Sequence, residues 1–457
     1  MIRLSWSQPE DLLPHALVAA ALDGCDVADV ERRWIEAGGD PTPPVTGASP
    51  EPAPSAVREL ARRFMAEIDE IEVPSSLIAA EPDDLATIES LAPARGETRS
   101  TSGPGVDADR LLGAWLGRAA GCLLGKPVEK IERAGIRAIA ESTGNWPIDG
   151  YFTARGLDPA VAATYPWNRR SAVNSLAENI DGMPEDDDLN FALIALRLVE
   201  QRGDRLTTDD VAAIWLDELP AGRVFTAERV TYRNLVGGDE PDVAGRHGNP
   251  FQAWIGAQIR TDVYGWVCAG DPVRAARLAW HDARLTHSRS GIYGAMFVAA
   301  ASAAAVAEPT IDRCIDAGLS VIPPASRYAA AIARGVDLAR SSMSSDDAID
   351  QLYREFGHLH WVHALNNSAL LAFALVRSGG DFTTAITTAV SGGWDTDSVG
   401  ATAGALCGGL NGAAALPPRW VLPLHNRLAS SVRGFDGITF DELSRRTAAA
   451  AITYEIQ

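Results

Sequence analysis

The sequence predicts an all-α protein, and three observations support this prediction. Apolar residues recur at helical spacing from residue 108 onward, in segments rich in alanine and leucine. Alternating patterns of β-branched residues, which half-buried strands need, are few. Two segments repeat glycine at every fourth position, as one face of a helix would: Gly113, Gly117, Gly121 and Gly125, and Gly400, Gly404, Gly408 and Gly412.

The two glycine stripes also predict how these segments pack. A glycine inside a helix costs roughly 1 kcal/mol against alanine, so each stripe needs a compensating contact. We expect the two helix backbones to approach each other closely, which would bring the acidic ends of the segments together. Independent tight packing of each stripe against another partner is the alternative.

The length of 457 residues exceeds the usual size of one hydrophobic core, so we expect a large domain with a smaller appendage. Residues 1–91 are predicted to form a small helical N-terminal region. Residues 92–107 contain too few large apolar side chains to offset the entropy of ordering them, which is typical of a linker. The main domain is predicted over 108–457.

Two helices are predicted within the N-terminal region. Ser7 and Glu10 have the spacing of a capping box, with Pro9 in the first turn of a helix that ends near Gly24. Residues 55–71 carry apolar side chains at helical spacing, and we expect them to bury one face against the first helix.

Composition excludes several classes of partner. The formal net charge of −20 argues against nucleic acid and anionic membranes, because a protein that binds either usually carries a basic patch. The five cysteines form no Cys-x-x-Cys pair, so neither a disulfide framework nor a structural zinc site is predicted. The sequence contains no signal-peptide pattern and no apolar stretch of the ~20 residues that a membrane span needs. We therefore expect a cytoplasmic protein that binds neither nucleic acid nor membrane.

Four consecutive acidic residues precede an apolar helical segment: Glu185, Asp186, Asp187 and Asp188. One or two carboxylates at a helix start would be ordinary caps worth up to ~1 kcal/mol each, but four repel one another more than capping can use. A hard divalent cation would relieve this repulsion, since Mg²⁺, Mn²⁺ and Ca²⁺ bind carboxylate oxygens. A solvated acidic turn is the alternative.

A second acidic motif opens the second glycine stripe. Asp395, Thr396, Asp397 and Ser398 place two carboxylates and a hydroxyl group on one turn, which suits the binding of one or two such cations. An aspartate-rich helix cap is the alternative for this motif alone. The two acidic motifs together predict a metal site.

The chain resembles the ADP-ribosylglycohydrolase family in several motifs that occur in the family's order. Residues 110–129 are similar to its opening motif; Lys126 within this segment and Lys130 directly after it are the only two lysines of the chain. Residues 183–190 resemble its paired-aspartate motif, 285–300 its central Thr-His segment, and 392–412 its C-terminal Asp-Thr-Asp motif. The resemblance extends over roughly 108–415 and leaves the N-terminal region outside it.

The resemblance implies an all-α hydrolase that cleaves an N-glycosidic bond at C1 of a ribose with two divalent cations, Mg²⁺ or Mn²⁺. The substrate would be an ADP-ribosyl adduct, on a target protein or free, or a smaller nucleoside or nucleotide. Matched motif by motif, Glu129 and Asp187 would be the catalytic residues. The metal ligands implied in the same way are Glu185, Asp186, Asp187, Asp395, Asp397 and Ser398. This assignment agrees with the chemistry, because bound cations orient the sugar and polarise water while an acid assists the leaving group.

Three residues depart from the family's motifs. Glu185 and Asp188 stand where the family carries hydroxyl residues, and Cys122 stands where it carries an acidic one. The two added carboxylates would disfavour phosphate, so we expect a small, neutral or weakly anionic ribosyl compound as the substrate. Asp188 is expected to point into solvent or to cap the helix.

Other polar residues are candidates for the pocket wall. His287, Arg260 and Asn366 are predicted to bind substrate, the first because it lies in the Thr-His segment and the others because they lie in amide-rich segments. Arg289 is a further candidate for contact with a phosphate. The three histidines of the segment 358–363 could form a zinc site, but their apolar context favours packing histidines.

Two other interpretations remain open. In the first, the protein is catalytically silent and binds a metal and an ADP-ribose-like ligand, and Glu185 and Cys122 mark a lost active site. In the second, the protein is a helical interaction scaffold, and neither acidic motif binds a metal. Metal binding separates the scaffold from the other two, and turnover of a ribosyl adduct separates the enzyme from the silent binder.

Overall fold

The computed structural model describes residues 3–94, 107–168, 171–308 and 310–455. Within these ranges the secondary structure consists of α-helices, short 3₁₀ helices and connecting loops, and no strand forms. The prediction of an all-α protein is therefore confirmed. None of the helices in the described ranges combines the length and the apolar character that a membrane span requires.

The N-terminal region forms five helices. The second helix predicted from the sequence, over 55–71, is confirmed as the third of these. The predicted linker lies mostly outside the described residues, which omit 95–106. The five helices are α1 (Pro9–Leu22), α2 (Ala28–Glu36), α3 (Ser55–Asp69), α4 (Ser75–Ala80) and α5 (Leu85–Leu91).

The capping box predicted for α1 is wrong. Gln8 precedes the helix and makes no side-chain cap. The Ser7 hydroxyl donates to the carbonyl of Leu4 at 3.0 Å, and the carboxylate of Glu10 pairs with Arg3 at 3.1 Å. Both side chains have partners in the residues that precede the helix, so they are not available to its first turn.

The main domain is built from helices that pack around a continuous apolar core. The 3₁₀ helices Lys126–Val128 and Ile255–Arg260 lie among them. In chain order its α-helices are α6 (Ala108–Gly125), α7 (Arg133–Ser142), α8 (Pro159–Thr164), α9 (Asp187–Arg202), α10 (Thr208–Glu218), α11 (Thr226–Gly237), α12 (Pro241–Ala244), α13 (Asp262–Val267), α14 (Pro272–Ala283), α15 (Ser290–Ala305), α16 (Ile311–Ser320), α17 (Arg327–Arg340), α18 (Ser345–Phe356), α19 (Ala364–Ser378), α20 (Phe382–Ser391), α21 (Thr396–Asn411), α22 (Pro418–Val421) and α23 (Phe440–Glu455).

The glycine stripes of α6 and α21 pack directly against each other in antiparallel order. A Cβ atom on Gly117 or Gly121 would lie under 3.0 Å from the carbonyl oxygen of Gly404 or Gly400, and the reverse substitutions meet the same conflict. Real Cβ atoms essentially never approach that closely, so only glycine permits this backbone contact. The predicted close approach is confirmed, and it places the end of α6 beside the start of α21.

The N-terminal region packs on the main domain through aromatic and charged contacts. The ring of Trp6 meets those of Phe251 and Trp254 at centroid distances of 5.5 and 5.6 Å. Arg327, at the start of α17, pairs with Glu81 at 2.8 Å. The N-terminal region therefore packs directly against the main domain. Its predicted division from that domain as a separate unit stays a prediction.

Candidate active site

Three helix ends converge where the two acidic motifs meet. Thr396, in the first turn of α21, donates its hydroxyl to the carbonyl of Gly125 at the end of α6, at 2.9 Å. Ser398 donates to Oδ2 of Asp188, at the start of α9, at 3.3 Å. Asp186 caps α9, because its Oδ1 accepts the backbone N–H of Asp188 at 2.9 Å. The fold thus brings together motifs that lie some two hundred positions apart in the sequence.

These helix ends line a cleft of about 1020 Å³. Every residue that the sequence predicts as catalytic or metal-binding lies in its wall, although their individual roles stay predictions. These residues are Glu129, Glu185, Asp186, Asp187, Asp395, Asp397 and Ser398, and Asp188 and Asn168 also line the cleft.

Both lysines of the chain also line this cleft. The ammonium group of Lys126 forms an ion pair with Oδ2 of Asp186, and it lies 3.3 Å from the carbonyl oxygen of Glu185. Lys130 pairs with Oε1 of Glu129 at 3.0 Å. Sequence reasoning noted that lysine is rare in this chain but did not predict these pairings.

Glu129 is held from both sides. Its Oε2 accepts the side-chain amide of Asn168 at 2.7 Å, and its Oε1 faces Lys130. The side chain is 18% exposed, so it reaches the cleft while its orientation is fixed. A carboxyl group held in this way can accept or donate a proton at a defined position in the cleft.

Asp188 is buried, so the prediction that it points into solvent or caps α9 is wrong. It is 2% exposed, and the cap is Asp186 instead. Arg118 of α6, which is fully buried, donates to the carbonyl of Asp188 at 2.7 Å and lies 3.6 Å from its Oδ1. Oδ1 itself has no hydrogen-bond partner among the described residues. The arginine pairs in turn with Asp262.

The carboxyl groups of the cleft differ strongly in their electrostatics. Burial, together with repulsion from neighbouring carboxylates, raises the pKa of Asp187, Asp188 and Asp395 well above the ordinary value. The same causes raise the pKa of Asp397 to about 7. Burial alone would also raise the pKa of Asp186, but the ammonium group of Lys126 holds it below the ordinary value. Lys126 opposes the rise at Asp187 and Asp397, but neither they nor Asp395 form a salt bridge among the described residues, and the pKa of each stays raised.

This set of donors fits a hard divalent cation. Carboxylate oxygens and a serine hydroxyl surround the cleft, and Asp188 contributes one buried oxygen without a hydrogen bond. A second group lies just beneath the surface of the cleft, where ligand atoms of Cys122, Asp186 and Asp188 all lie within 4.8 Å of one another. Sequence reasoning treated Cys122 only as a departure from a motif and did not place it in this group.

The residues predicted to bind substrate do not line the cleft. Arg260 is 1% exposed and pairs with Glu228 and Asp282, each at 2.6 Å. His287 is buried, with its Nδ1 2.5 Å from the hydroxyl of Thr286. Asn366 is also buried and donates to a backbone carbonyl.

Asn367, the neighbour of Asn366, does contact the second acidic motif. Its side-chain oxygen accepts the backbone N–H of Asp395 at 3.1 Å. Arg289 lines a different cavity, between the N-terminal helices and the main domain. The three histidines of 358–363 form no metal-binding group among the described residues, and His360 stacks on Trp254 with ring centroids 4.3 Å apart.

The N-terminal region supplies one wall of the cleft, which the sequence did not predict. Residues 3–6 and Thr46 line the cleft. Arg229, which also lines it, donates to the carbonyl of Ser5 at 2.8 Å, and the indole N–H of Trp361 donates to the carbonyl of Val45 at 3.2 Å. No sequence motif marks this wall, because it forms by packing between distant segments.

Comparison with known proteins identifies the family of the chain. One similar solved structure, described as an ADP-ribosylglycohydrolase-related protein complex, is 21% identical and covers 76% of this chain and 98% of its own, with a TM-score of 0.41. No curated protein sequence matches the chain. The sequence profile described as ADP-ribosylglycohydrolase matches residues 104–452. The chain therefore belongs to the ADP-ribosylglycohydrolase family.

Proposed function

We propose that the protein is a metal-dependent hydrolase that cleaves an N-glycosidic bond at C1 of a ribose. The substrate class is an ADP-ribosyl adduct or a smaller nucleoside or nucleotide. One observation carries the proposal: Asp187, Asp395 and Asp397 converge in one cleft, form no salt bridge with a lysine or arginine among the described residues, and keep raised pKa values. A divalent cation, Mg²⁺ or Mn²⁺, would compensate this charge.

In this proposal some residues of the cleft hold the cation and another transfers the proton. When bound, a divalent cation orients the ribose hydroxyls and polarises a water molecule. Asp187, Asp395, Asp397 and Ser398 would hold it. Glu129, fixed by Asn168 and Lys130, would take a proton from the attacking water. The water oxygen would bond to C1 as the bond from C1 to nitrogen breaks; the electron pair of that bond would stay on the leaving nitrogen, which takes up the proton that Glu129 received.

The charge argument for a substrate without phosphates is weaker than the sequence suggests. Glu185 pairs with Arg223 at 3.0 Å, and Asp188 faces Arg118 at 3.6 Å. Each added carboxylate therefore has a guanidinium group beside it. Arg3 and Arg229 also line the cleft, so the charge of its wall does not by itself exclude a pyrophosphate.

A direct assay tests the proposal. We expect the metal-stripped protein to release ribose or ADP-ribose from at least one member of a panel when Mn²⁺ is added, and not with chelator. The panel contains an ADP-ribosylated protein, free ADP-ribosyl-arginine and unphosphorylated nucleosides. Asp397→Ala is expected to abolish both Mn²⁺ binding and turnover. Asp312→Ala, a carboxylate on α16 that is 58% exposed, serves as the matched control and is expected to change neither.

Failure of turnover would favour the second candidate function. In that candidate the protein binds a metal and an ADP-ribose-like ligand without catalysis, and the buried thiol of Cys122 in the acidic group is the observation that favours it. Calorimetry that shows Mn²⁺ and ADP-ribose binding, with no product from any member of the panel, would establish this alternative. Absence of metal binding would contradict both.

A further inference from the structure

The cleft has two sets of candidate metal ligands, and one of them already contains a fixed cation. In the group formed by Cys122, Asp186 and Asp188, the ammonium of Lys126 lies on Oδ2 of Asp186. The other oxygen of Asp186 accepts the backbone N–H of Asp188 at 2.9 Å. Lys126 is 8% exposed and also lies 3.3 Å from the carbonyl oxygen of Glu185. Both oxygens of Asp186 are thus engaged before any metal ion arrives.

The other members of this group offer little to a hard cation. Cys122 is fully buried, and a neutral thiol is a poor ligand for Mg²⁺ or Mn²⁺, which prefer oxygen. Asp188 lies 3.6 Å from one guanidinium nitrogen of Arg118, and the other terminal nitrogen of the same group pairs with Asp262. Lys126 and Arg118 therefore supply positive charge at the place where a metal ion would otherwise supply it.

Among the described residues, no cation is in salt-bridge contact with the remaining carboxylates, which interact with Lys126 and Lys130 only at longer range. Asp187, Asp395 and Asp397 form no ion pair with a lysine or arginine in the described part of the chain, and Lys130 is paired with Glu129. Asp188 connects the two sets of ligands, because its Oδ2 accepts the hydroxyl of Ser398. Its Oδ1 is buried and has no hydrogen bond among the described residues. The deficit of positive charge is thus confined to one side of the site.

We propose that the ammonium of Lys126 takes the place of a divalent cation in the Cys122, Asp186 and Asp188 group. The chain then binds one divalent cation per molecule, at Asp187, Asp395, Asp397 and Ser398, instead of the two that its motifs imply. This inference rests on the metal site of the proposed function. It assigns to Lys126 the role of a built-in counter-ion that keeps the aspartates in place and blocks the second metal position.

The number of Mn²⁺ ions per chain tests this proposal without any assay of turnover. Calorimetric titration of the metal-stripped, full-length protein is expected to give one Mn²⁺ per chain. Electron paramagnetic resonance of the loaded protein is expected to show isolated ions without spin coupling. The double variant Cys122→Asp, Lys126→Ala restores a carboxylate and removes the ammonium, so it is expected to bind two Mn²⁺ per chain with a coupled spectrum.

Lys130→Ala is the matched control. It removes the other lysine of the cleft, which pairs with Glu129 and not with the Cys122 group, and we expect the stoichiometry to stay at one. Two ions per wild-type chain would overturn the inference and leave the proposed function intact, whereas no binding at all would overturn both. If the double variant does not fold, the wild-type stoichiometry and spectrum still decide the matter.

Discussion

Glu129 and Asp187 share one cleft but have different neighbours. Glu129 is fixed by one amide and one ammonium group, whereas Asp187 is surrounded by carboxylates, and burial and their charges raise its pKa. A group held between neutral and cationic donors keeps its orientation through a reaction, and a crowded carboxylate gains most from a metal ion. These surroundings support the proposed roles, proton transfer for Glu129 and metal binding for Asp187.

Glu129→Gln separates these two roles. The substitution preserves shape and removes the ionisable group, so we expect turnover to fall by about 100-fold or more, the range for loss of a positioned acid or base. Mn²⁺ affinity is expected to stay largely unchanged. Steady-state kinetics and calorimetry on the same preparation measure both quantities.

Glu132→Gln provides the comparison, because Glu132 lies three residues further on, is exposed and does not line the cleft. It is expected to leave turnover and stability unchanged. If Glu129→Gln lowered the melting temperature while turnover persisted, Glu129 would instead be a positioning residue for Lys130 and Asn168.

At this scale the sequence predicted which carboxylates meet and missed what compensates them. Asp186 and Asp397 lie in the two acidic motifs, which together predicted a shared metal site. Asp186 pairs with Lys126, in the 3₁₀ helix that directly follows α6, and Asp188 lies beside Arg118 on α6. Only the packing of this segment against α9 and α21 brings these partners within reach. Predicting Asp188 as exposed failed because sequence shows the charge of a residue but not the arginine buried beneath it.

Among the elements, α6 and α21 decide the geometry of the site. Their stripes of glycine allow backbone contact, and the hydroxyl of Thr396 ties their ends together at the cleft. Here the sequence was fully informative, because a costly residue repeated at every fourth position has few explanations other than close packing. The start of α1 shows the opposite case, since Arg3 removes Glu10 from the predicted cap by a contact that no local pattern reveals.

Gly404→Ala tests the contact between these helices. The new methyl group meets the backbone carbonyl of Gly117, which cannot rotate away as a side chain could. Overpacking costs about 1–3 kcal/mol, and the better helix propensity of alanine returns about 1 kcal/mol, so we expect a net destabilisation of up to about 2 kcal/mol. Chemical denaturation measures the difference.

Gly237→Ala is the control for Gly404→Ala. Gly237 ends α11, and a Cβ atom there would meet nothing within 4 Å. The variant is expected to be neutral or more stable by up to about 1 kcal/mol. Equal destabilisation by both substitutions would contradict the packing argument.

On the scale of the whole molecule, a cluster of neutral histidines joins the N-terminal region to the main domain. The ring of His15, on α1, lies 5.5 Å from those of Trp254 and His360. Burial lowers the pKa of His15 to about 4 and those of His360 and His363 to about 3. The unfolded chain takes up protons at these groups near pH 6.5, whereas the folded chain does not.

Stability is therefore expected to fall with acidity through this cluster. Its contribution is complete above the unfolded pKa of about 6.5 and is lost as the pH falls from there toward 4, at about 1.4 kcal/mol per pH unit for each histidine. His15→Phe keeps an aromatic ring and removes one titrating group. We expect the pH slope of the unfolding free energy, measured in urea between about pH 7 and pH 5, to decrease on average by about 1 kcal/mol per pH unit, because the unfolded imidazole is only partly protonated near pH 7.

His358→Phe, at an exposed position of the same segment as His360, is the control and should leave the slope as in the wild type. His15→Phe also removes the hydrogen bond between the imidazole and the backbone of Pro44. Because the folded imidazole stays neutral over this pH range, that loss is the same at each pH and does not change the slope. An unchanged slope in His15→Phe would show that this imidazole protonates in the folded protein. The sequence predicted packing histidines in 358–363 but gave no sign that α1 would contact them.

The two lysines allow the cleft to be labelled selectively. Since Lys126 and Lys130 are the only side-chain amines of the chain and both border the cleft, any label specific for such amines marks this region alone. Reductive methylation with a ¹³C reagent would give, besides the resonance of the α-amino group, methyl resonances from the 38% exposed side chain of Lys130 and the 11% exposed side chain of Lys126. Ligand titrations followed by these resonances would report on the cleft without interference from the rest of the protein.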